Sequence, residues 1–271
     1  MISERSRTAY SRSADHLARR ALDALQGAEG APVAAPHMEA AASEPGGDPA
    51  VALGAVRVLG ADVLAPYILT GRSPSEGETA AVGLALGALP PADPPPPAPP
   101  RGPEQPWTVA WVDWGLATSL SRLGPAGSPA PAAPLPQGPP RCDDTAPRRL
   151  PATPADALDS PGGSVQEGWV PWSVRMGQLA SLALPGLDGP VHDAARSGVL
   201  GLARGATRAT LRRDFPTAAR ITRWLAWLHA DGAEPPLDAA LLTEYIGLVG
   251  GGERTALDTA IARRLLGLEA V

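Results

Sequence analysis

Residues 193–229 read DAARSGVLGLARGATRATLRRDFPTAARITRWLAWLH, and helical spacing, positive charge and paired tryptophans coincide in this one stretch. Arg204, Arg208 and Arg212 recur every four residues. On a helix they form a slowly drifting stripe, with Leu200, Ala203 and Leu211 close beside it. Phe215-Pro216 should break or kink that helix, because proline lacks a backbone donor and restricts the residue before it. Beyond it, Ile221, Trp224, Leu225 and Leu228 stand at i, i+3, i+4 and i+7, an apolar face for packing. Arg220, Arg223 and Trp227 fall together on its flank. Arg223 and Trp227 are four residues apart, the spacing of a cation–π stack that stabilises by about 0.5–1 kcal/mol at an exposed site.

The charge of this stretch departs from that of the chain. Between Ala194 and Arg223, seven arginines (Arg196, Arg204, Arg208, Arg212, Arg213, Arg220 and Arg223) stand against one acid, Asp214. The segment therefore carries +6 within a chain of net charge −5, and everything else sums to −11. Such asymmetry predicts a surface that meets something anionic: nucleic acid, a phosphorylated small molecule, or the protein's own acidic parts.

All 23 basic residues are arginine, lysine and asparagine do not occur, and there are 30 glycines and 33 prolines among 271 residues. This is the codon signature of a high-GC bacterium, so the choice of arginine over lysine does not by itself indicate phosphate recognition. Cys142 is the only cysteine, which excludes an intrachain disulfide and a cysteine zinc cluster and fits a reducing cytoplasm. The first residues, MISERSRTAYSRS, lack the apolar core of a signal peptide. The longest apolar stretch, Val51 to Leu69, is interrupted by Arg57 and Asp62, and Ala80 to Leu89 is too short to span a bilayer. The expectation is a cytoplasmic protein with no membrane segment.

Outward from residues 193–229, helical signals continue to the C-terminus. Asp238 can cap a helix through Val249 with Leu241, Leu242, Tyr245 and Ile246 inward, and Gly250-Gly251-Gly252 ends it. Thr255-Ala256-Leu257-Asp258 has the form of a capping box, followed by Leu257, Ile261, Leu265 and Leu268 on one face. Four helices (190–213, 217–230, 238–249 and 255–268) joined by short loops predict an antiparallel bundle within a C-terminal domain, 165–271. Residues 168–187 open with Trp169 and Trp172 and suit an extended piece, a lid, or a helix from Ser173.

Toward the N-terminus the pattern is sparser. Residues 1–89 form a smaller helical region. A helix is expected over about 11–26, a flexible connection over 27–47, and a buried helix or strand pair over 48–70. A further helix opens at Ser73-Pro74-Ser75-Glu76, with Ser73 as cap, Pro74 at the first helical position and Glu76 closing a capping box. Residues 90–106, PPADPPPPAPPRGPEQP, predict a semi-rigid polyproline II spacer. Trp107, Trp111 and Trp114, followed by Leu116, Leu120 and Leu123, predict a helix of 107–123 burying a tryptophan face. Residues 124–164 are rich in proline and alanine and are expected to be a disordered linker. The fold class expected is thus mainly α.

Motifs that carry chemistry are missing from the sequence. His16, His37, His192 and His229 show no ligand spacing, and neither HExxH nor CxxC occurs. Without lysine there is no Walker lysine and no Schiff-base mechanism. Gly247 to Gly252 follows a predicted helix rather than a strand, so it is a helix end and not a phosphate loop. Gly162-Gly163-Ser164 lacks the glycine of a nucleophile elbow, and Asp143-Asp144 has no further spaced acids to hold Mg²⁺. His192-Asp193 sits at a helix start, where the dipole disfavours imidazole protonation. No catalytic residue, cofactor or metal ligand is assigned, and the expectation leans away from an enzyme.

Residues 207–247, TRATLRRDFPTAARITRWLAWLHADGAEPPLDAALLTEYIG, resemble the helical DNA-clamping domain that precedes the catalytic domain of tyrosine recombinases. The shared order is an arginine-bearing helix, a tryptophan-rich one, a loop, and a capped helix with an aromatic near its end. The resemblance covers about 40 of 271 residues and implies DNA contact. No room follows for that family's catalytic arginines, histidine and tyrosine, so recombinase activity is not expected.

The functional expectation is a non-enzymatic interaction module. Its partner, a protein or nucleic acid, would be bound by the basic face of residues 194–227 through Arg204, Arg208, Arg212, Arg213, Arg220, Arg223 and Trp227. The alternative is a small helical enzyme, or an enzyme accessory of specialised metabolism, gripping an anionic substrate where Arg213, Arg220 and His192 converge. A third reading is a scaffold whose basic helix is neutralised by intrachain carboxylates.

Overall fold

The computed structural model describes residues 4–27, 31–43, 47–124, 133–143 and 166–268. The chain is mainly α. Its N-terminal half contains α1 (Glu4–Leu25), α2 (Ala34–Ser43), α3 (Pro49–Leu59), α4 (Ala65–Thr70), α5 (Glu76–Ala88) and α6 (Glu104–Leu123). A minimal parallel pair, β1 (Arg141–Asp143) and β2 (Gln166–Gly168), precedes α7 (Trp169–Gln178), α8 (Pro190–Ser197), α9 (Val199–Leu211), α10 (Phe215–Ala230), α11 (Ala239–Val249) and α12 (Glu253–Leu265).

Helix α10 is the hub of the C-terminal bundle. Its neighbours are α7, α9, α11 and α12, and α12 in turn meets α1. Ile221, Trp224, Leu225 and Leu228 are fully buried, as their spacing predicts. The core continues without a break from Leu17, Leu64 and Trp107 to Trp224 and Leu257, so the N-terminal helices and the C-terminal bundle share it.

The turn between α9 and α10 is made by Arg212–Asp214, and Phe215-Pro216, expected to break the helix, instead open α10. Arg213 takes a left-handed conformation (φ 59°). Its N–H donates to Thr210 O at 3.0 Å, while Asp214 N–H reaches Ala209 O at 2.9 Å. These two bonds make a Schellman end for α9. The Asp214 carboxylate then caps α10 by accepting from Thr217 N–H at 3.3 Å, with Pro216 in the first turn.

Several elements differ from the sequence expectation. The predicted helix 190–213 is broken at Gly198 into α8 and α9, because Gly198 lies against the Trp172 ring where no side chain fits. The connection 27–47 contains α2, whose first N–H groups are satisfied from a distance. Buried Glu78 on α5 accepts from Val33, Ala34 and Ala35 N–H at 3.0, 2.7 and 3.0 Å. Helix α5 itself starts two residues later than expected: Ser75, not Ser73, is the cap, accepting from Glu78 N–H at 3.2 Å. Thr255 lies inside α12 and is not its cap.

Within the expected linker 124–164, residues 125–132 and 144–164 lie outside the described residues, Gly162, Gly163 and Ser164 among them. Residues 133–143 are held in place. The indole N–H groups of Trp107 and Trp111 both donate to Gln137 O, at 2.8 and 3.1 Å, and that of Trp172 donates to Pro140 O at 2.9 Å. Buried indoles need acceptors, and this strand of irregular chain supplies them. The strap thus links the tryptophan faces of α6 and α7.

Pro49–Thr70 is long and apolar enough by length and composition to cross a membrane, and two-thirds of its most apolar 18 residues (67%) are buried inside the fold. It is not one continuous helix. Gly60, left-handed at φ 62°, ends α3, and a 3₁₀ turn (Gly60–Val63) precedes α4. The two charges in this stretch serve interhelical ion pairs: Arg57 forks onto Asp113 of α6, and Asp62 meets Arg223 of α10.

Candidate functional site

The basic stretch divides into arginines engaged inside the fold and arginines presented to solvent. Arg196 sits among three carboxylates, Asp188, Asp193 and Asp231, at 2.9, 3.1 and 2.9 Å. The hydrogen bond to Asp231 is the main reason its guanidinium is held above the ordinary arginine value. It also lies over the Trp227 ring, 5.0 Å from the centroid. The cation–π partner of Trp227 is therefore Arg196, from α8, rather than Arg223.

Arg223 is completely buried (0% exposed). Its Nη2 donates to Asp62 at 2.5 Å, its Nη1 to Asp258 at 3.2 Å, and its Nε to Ala183 O at 3.4 Å. All three donor directions are thus used in the way that makes a buried guanidinium tolerable. Burial still pushes the Asp258 carboxyl above its usual range, although Arg223 opposes the shift. Arg220 approaches the same carboxylate at 3.9 Å and is only partly exposed. Trp227 is buried among His192, Trp224 and Arg196. Arg223 and Trp227 thus belong to the core, a correction to their expected place on a binding face.

Arg204, Arg208, Arg212 and Arg213 are exposed. Three of them, Arg204, Arg208 and Arg212, run along α9 as the four-residue spacing predicts and line an open groove of about 690 Å³. Its floor is apolar: Trp169 at the start of α7, Leu200, Ala203 and Leu211 of α9, and Pro236 and Leu237 before α11. Leu200 and Leu211 are 40% and 79% exposed, so the groove places bare aliphatic surface directly beside guanidinium groups. Among the described residues, Arg208 and Arg212 have no carboxylate partner. Neutralisation of the stripe by the chain's own acids is not seen at those two positions.

Arg213, Arg220 and His192, the three side chains expected to grip an anionic substrate, lie apart. Arg213 is at the α9–α10 turn, Arg220 faces Asp258, and His192 is fully buried under Trp224 and Trp227. The His192 Nε2 bonds Leu182 O at 2.9 Å. Burial lowers its pKa, so the imidazole is neutral and Nε2 is the donor. Its Nδ1 has no hydrogen-bond partner among the described residues. These three side chains do not converge on one pocket. No group of three or more metal-ligating side chains occurs among the described residues.

Sequence reasoning missed the depth of Arg223 because both carboxylates that hold it, Asp62 and Asp258, lie outside the basic stretch. It also missed Glu78 and Asp113 as structural partners. Comparisons with protein families, with curated proteins and with solved structures return no match for this chain.

Proposed function

We propose that the protein is a non-enzymatic interaction module that binds an anionic partner along α9, with Arg204, Arg208 and Arg212 as the charged contacts. The observation that carries this reading is the groove in which a four-residue arginine stripe borders half-buried Trp169 and exposed Leu200 and Leu211. Apolar surface left open in a soluble fold marks a binding place more often than isolated exposed side chains do. The combination suits an acidic, amphipathic protein segment, whose apolar residues take the groove and whose carboxylates meet the guanidiniums as charge-assisted pairs. A nucleic acid would use the same arginines, with Trp169 as a stacking surface. The chain's net charge of −5 favours the protein partner, since it repels a polyanion everywhere except at this face. With one cysteine and no disulfide to protect, the proposed compartment is the cytoplasm.

Fluorescence anisotropy on the full chain tests the reading with three probes: an acidic amphipathic peptide, single-stranded DNA and duplex DNA, each at low and moderate salt. The expected result is peptide binding that survives moderate salt and is weakened by both Arg208→Glu and Leu211→Asp. Binding of DNA that collapses with salt and ignores Leu211→Asp would replace the protein partner by nucleic acid. Failure of all three probes at low salt, or binding that ignores Arg208→Glu, would overturn the α9 face as the site.

A further inference from the structure

A second arginine pair lies at a separate pocket, remote in sequence from α9. Arg72, two residues beyond the end of α4, and Arg122, in the last turn of α6, line a pocket of about 410 Å³ that is closed on its third side by the turn Pro185–Leu187. That volume falls in the range of about 300–1,000 Å³ used for small-molecule ligands. No aspartate or glutamate is among its lining residues, so the two guanidiniums give it an uncompensated double positive charge. Neither arginine has a carboxylate partner among the described residues.

Two further observations show that the pocket is built rather than incidental. Ser119 of α6 lines it, is 1% exposed, and has a hydroxyl with no hydrogen-bond partner among the described residues. A buried hydroxyl without a partner costs about 1–3 kcal/mol, a cost that a ligand oxygen would relieve. Gly186 is left-handed (φ +83°), and a side-chain carbon at that position would fall 2.5–2.6 Å from the Arg122 guanidinium. The absence of a side chain there is what lets the guanidinium lie over the turn. Leu123 and Leu187 supply an apolar wall next to these donors.

We propose that this pocket binds a small molecule carrying one oxyanion, a carboxylate or a phosphate monoester, on a short apolar body. Arg72 and Arg122 hold the oxyanion, the Ser119 hydroxyl donates to it, and Leu123 and Leu187 cover the body. A bare anion uses only part of the site. The pocket shares no residue with the α9 groove, so either can fail alone.

Isothermal titration calorimetry on the full chain tests the proposal with hexanoate and phenyl phosphate as probes and with acetate and inorganic phosphate as bare-anion controls, at matched ionic strength. The expected result is saturable binding of hexanoate or phenyl phosphate, which shows whether carboxylate or phosphate is preferred, and tighter than that of the matching bare anion. Arg72→Gln and Arg122→Gln should each weaken it by about 10- to 100-fold, the loss of one charge-assisted contact. Gly186→Ala should weaken it too, by displacing Arg122, and Arg208→Gln should leave it unchanged. Circular dichroism of the two glutamine variants, both at exposed positions, verifies that they fold. No saturable binding of either probe in the millimolar range would overturn the proposal. So would binding indifferent to both arginine substitutions, a bare anion binding as tightly as its apolar counterpart, or loss of binding in Arg208→Gln.

Discussion

Arg208 and Arg223 belong to the same basic stretch and to helices that pack against each other, yet one is open to solvent and the other has no exposed surface at all. Helix α9 presents its arginines every four residues along a groove, while α10 carries Arg223 into the centre of the fold. The difference does not come from the spacing, which is regular in both helices. It comes from Asp62, 161 residues away in sequence, and Asp258, 35 residues away, which meet at α10 and make a buried guanidinium stable there. Opposite α9, at Arg208 and Arg212, the described residues offer no such carboxylates. A run of positive charge is therefore a binding face only where the tertiary structure leaves it unpaired.

The sharpest way to break this contrast is to remove the buried cation. Arg223→Met should cost about 3–5 kcal/mol, read from urea unfolding, because it strands two buried carboxylates. The same variant should recover stability as the pH falls. Asp258 already sits above its usual pKa through burial, and without Arg223, which opposes that shift, its carboxyl moves further up. A carboxyl whose folded pKa is raised adds stability below its unfolded pKa and loses it as pH rises through the folded one. Denaturation midpoints that fall on acidification in the variant as steeply as in the parent protein would count against Asp62 and Asp258 being its partners.

A smaller effect is expected where α9 is aimed. Gly198 separates α8 from α9 and packs on the Trp172 ring, so Gly198→Ala overpacks the junction and should cost about 1–3 kcal/mol. A fall in the thermal midpoint checks this, and an unchanged midpoint would show that the break has another cause. The smallest effect belongs to the exposed stripe. Arg208→Gln combined with Arg212→Gln should change stability by no more than about 0.5 kcal/mol. A large loss would mean that the stripe is structural and would remove the basis of the proposed function.

Much of the C-terminal bundle was legible in the sequence. The apolar spacing of α10 and the Asp238 cap are local signals that appear where the spacing placed them, whereas the break expected at Phe215-Pro216 falls just before it, at Arg212–Asp214. The N-terminal half was harder. Helix α2 is alanine-rich and begins beside a proline-bearing stretch, and its N-terminus is completed by Glu78 from α5, a contact no local pattern announces. The segment 133–143 has a composition that predicts disorder; it is held by three indole N–H groups from α6 and α7 that need acceptors. Of the expected binding residues, the α9 arginines were found by periodicity alone, whereas Arg223 and Trp227 were placed on a surface that the fold turns inward.

By itself the sequence determined that this protein is helical, where α11 starts and stops, and which face of α10 is apolar. Those properties depend on residues within one or two turns of each other, where propensity, capping and 3.6-residue periodicity act. Only the tertiary structure decided which charges are spent inside the fold. Pairing Arg223 with Asp62 and Asp258, stacking Arg196 on Trp227, and leaving Arg208 and Arg212 without carboxylates among the described residues are outcomes of which elements meet in space. Coulomb attraction in a desolvated interior depends on that meeting and not on distance along the chain.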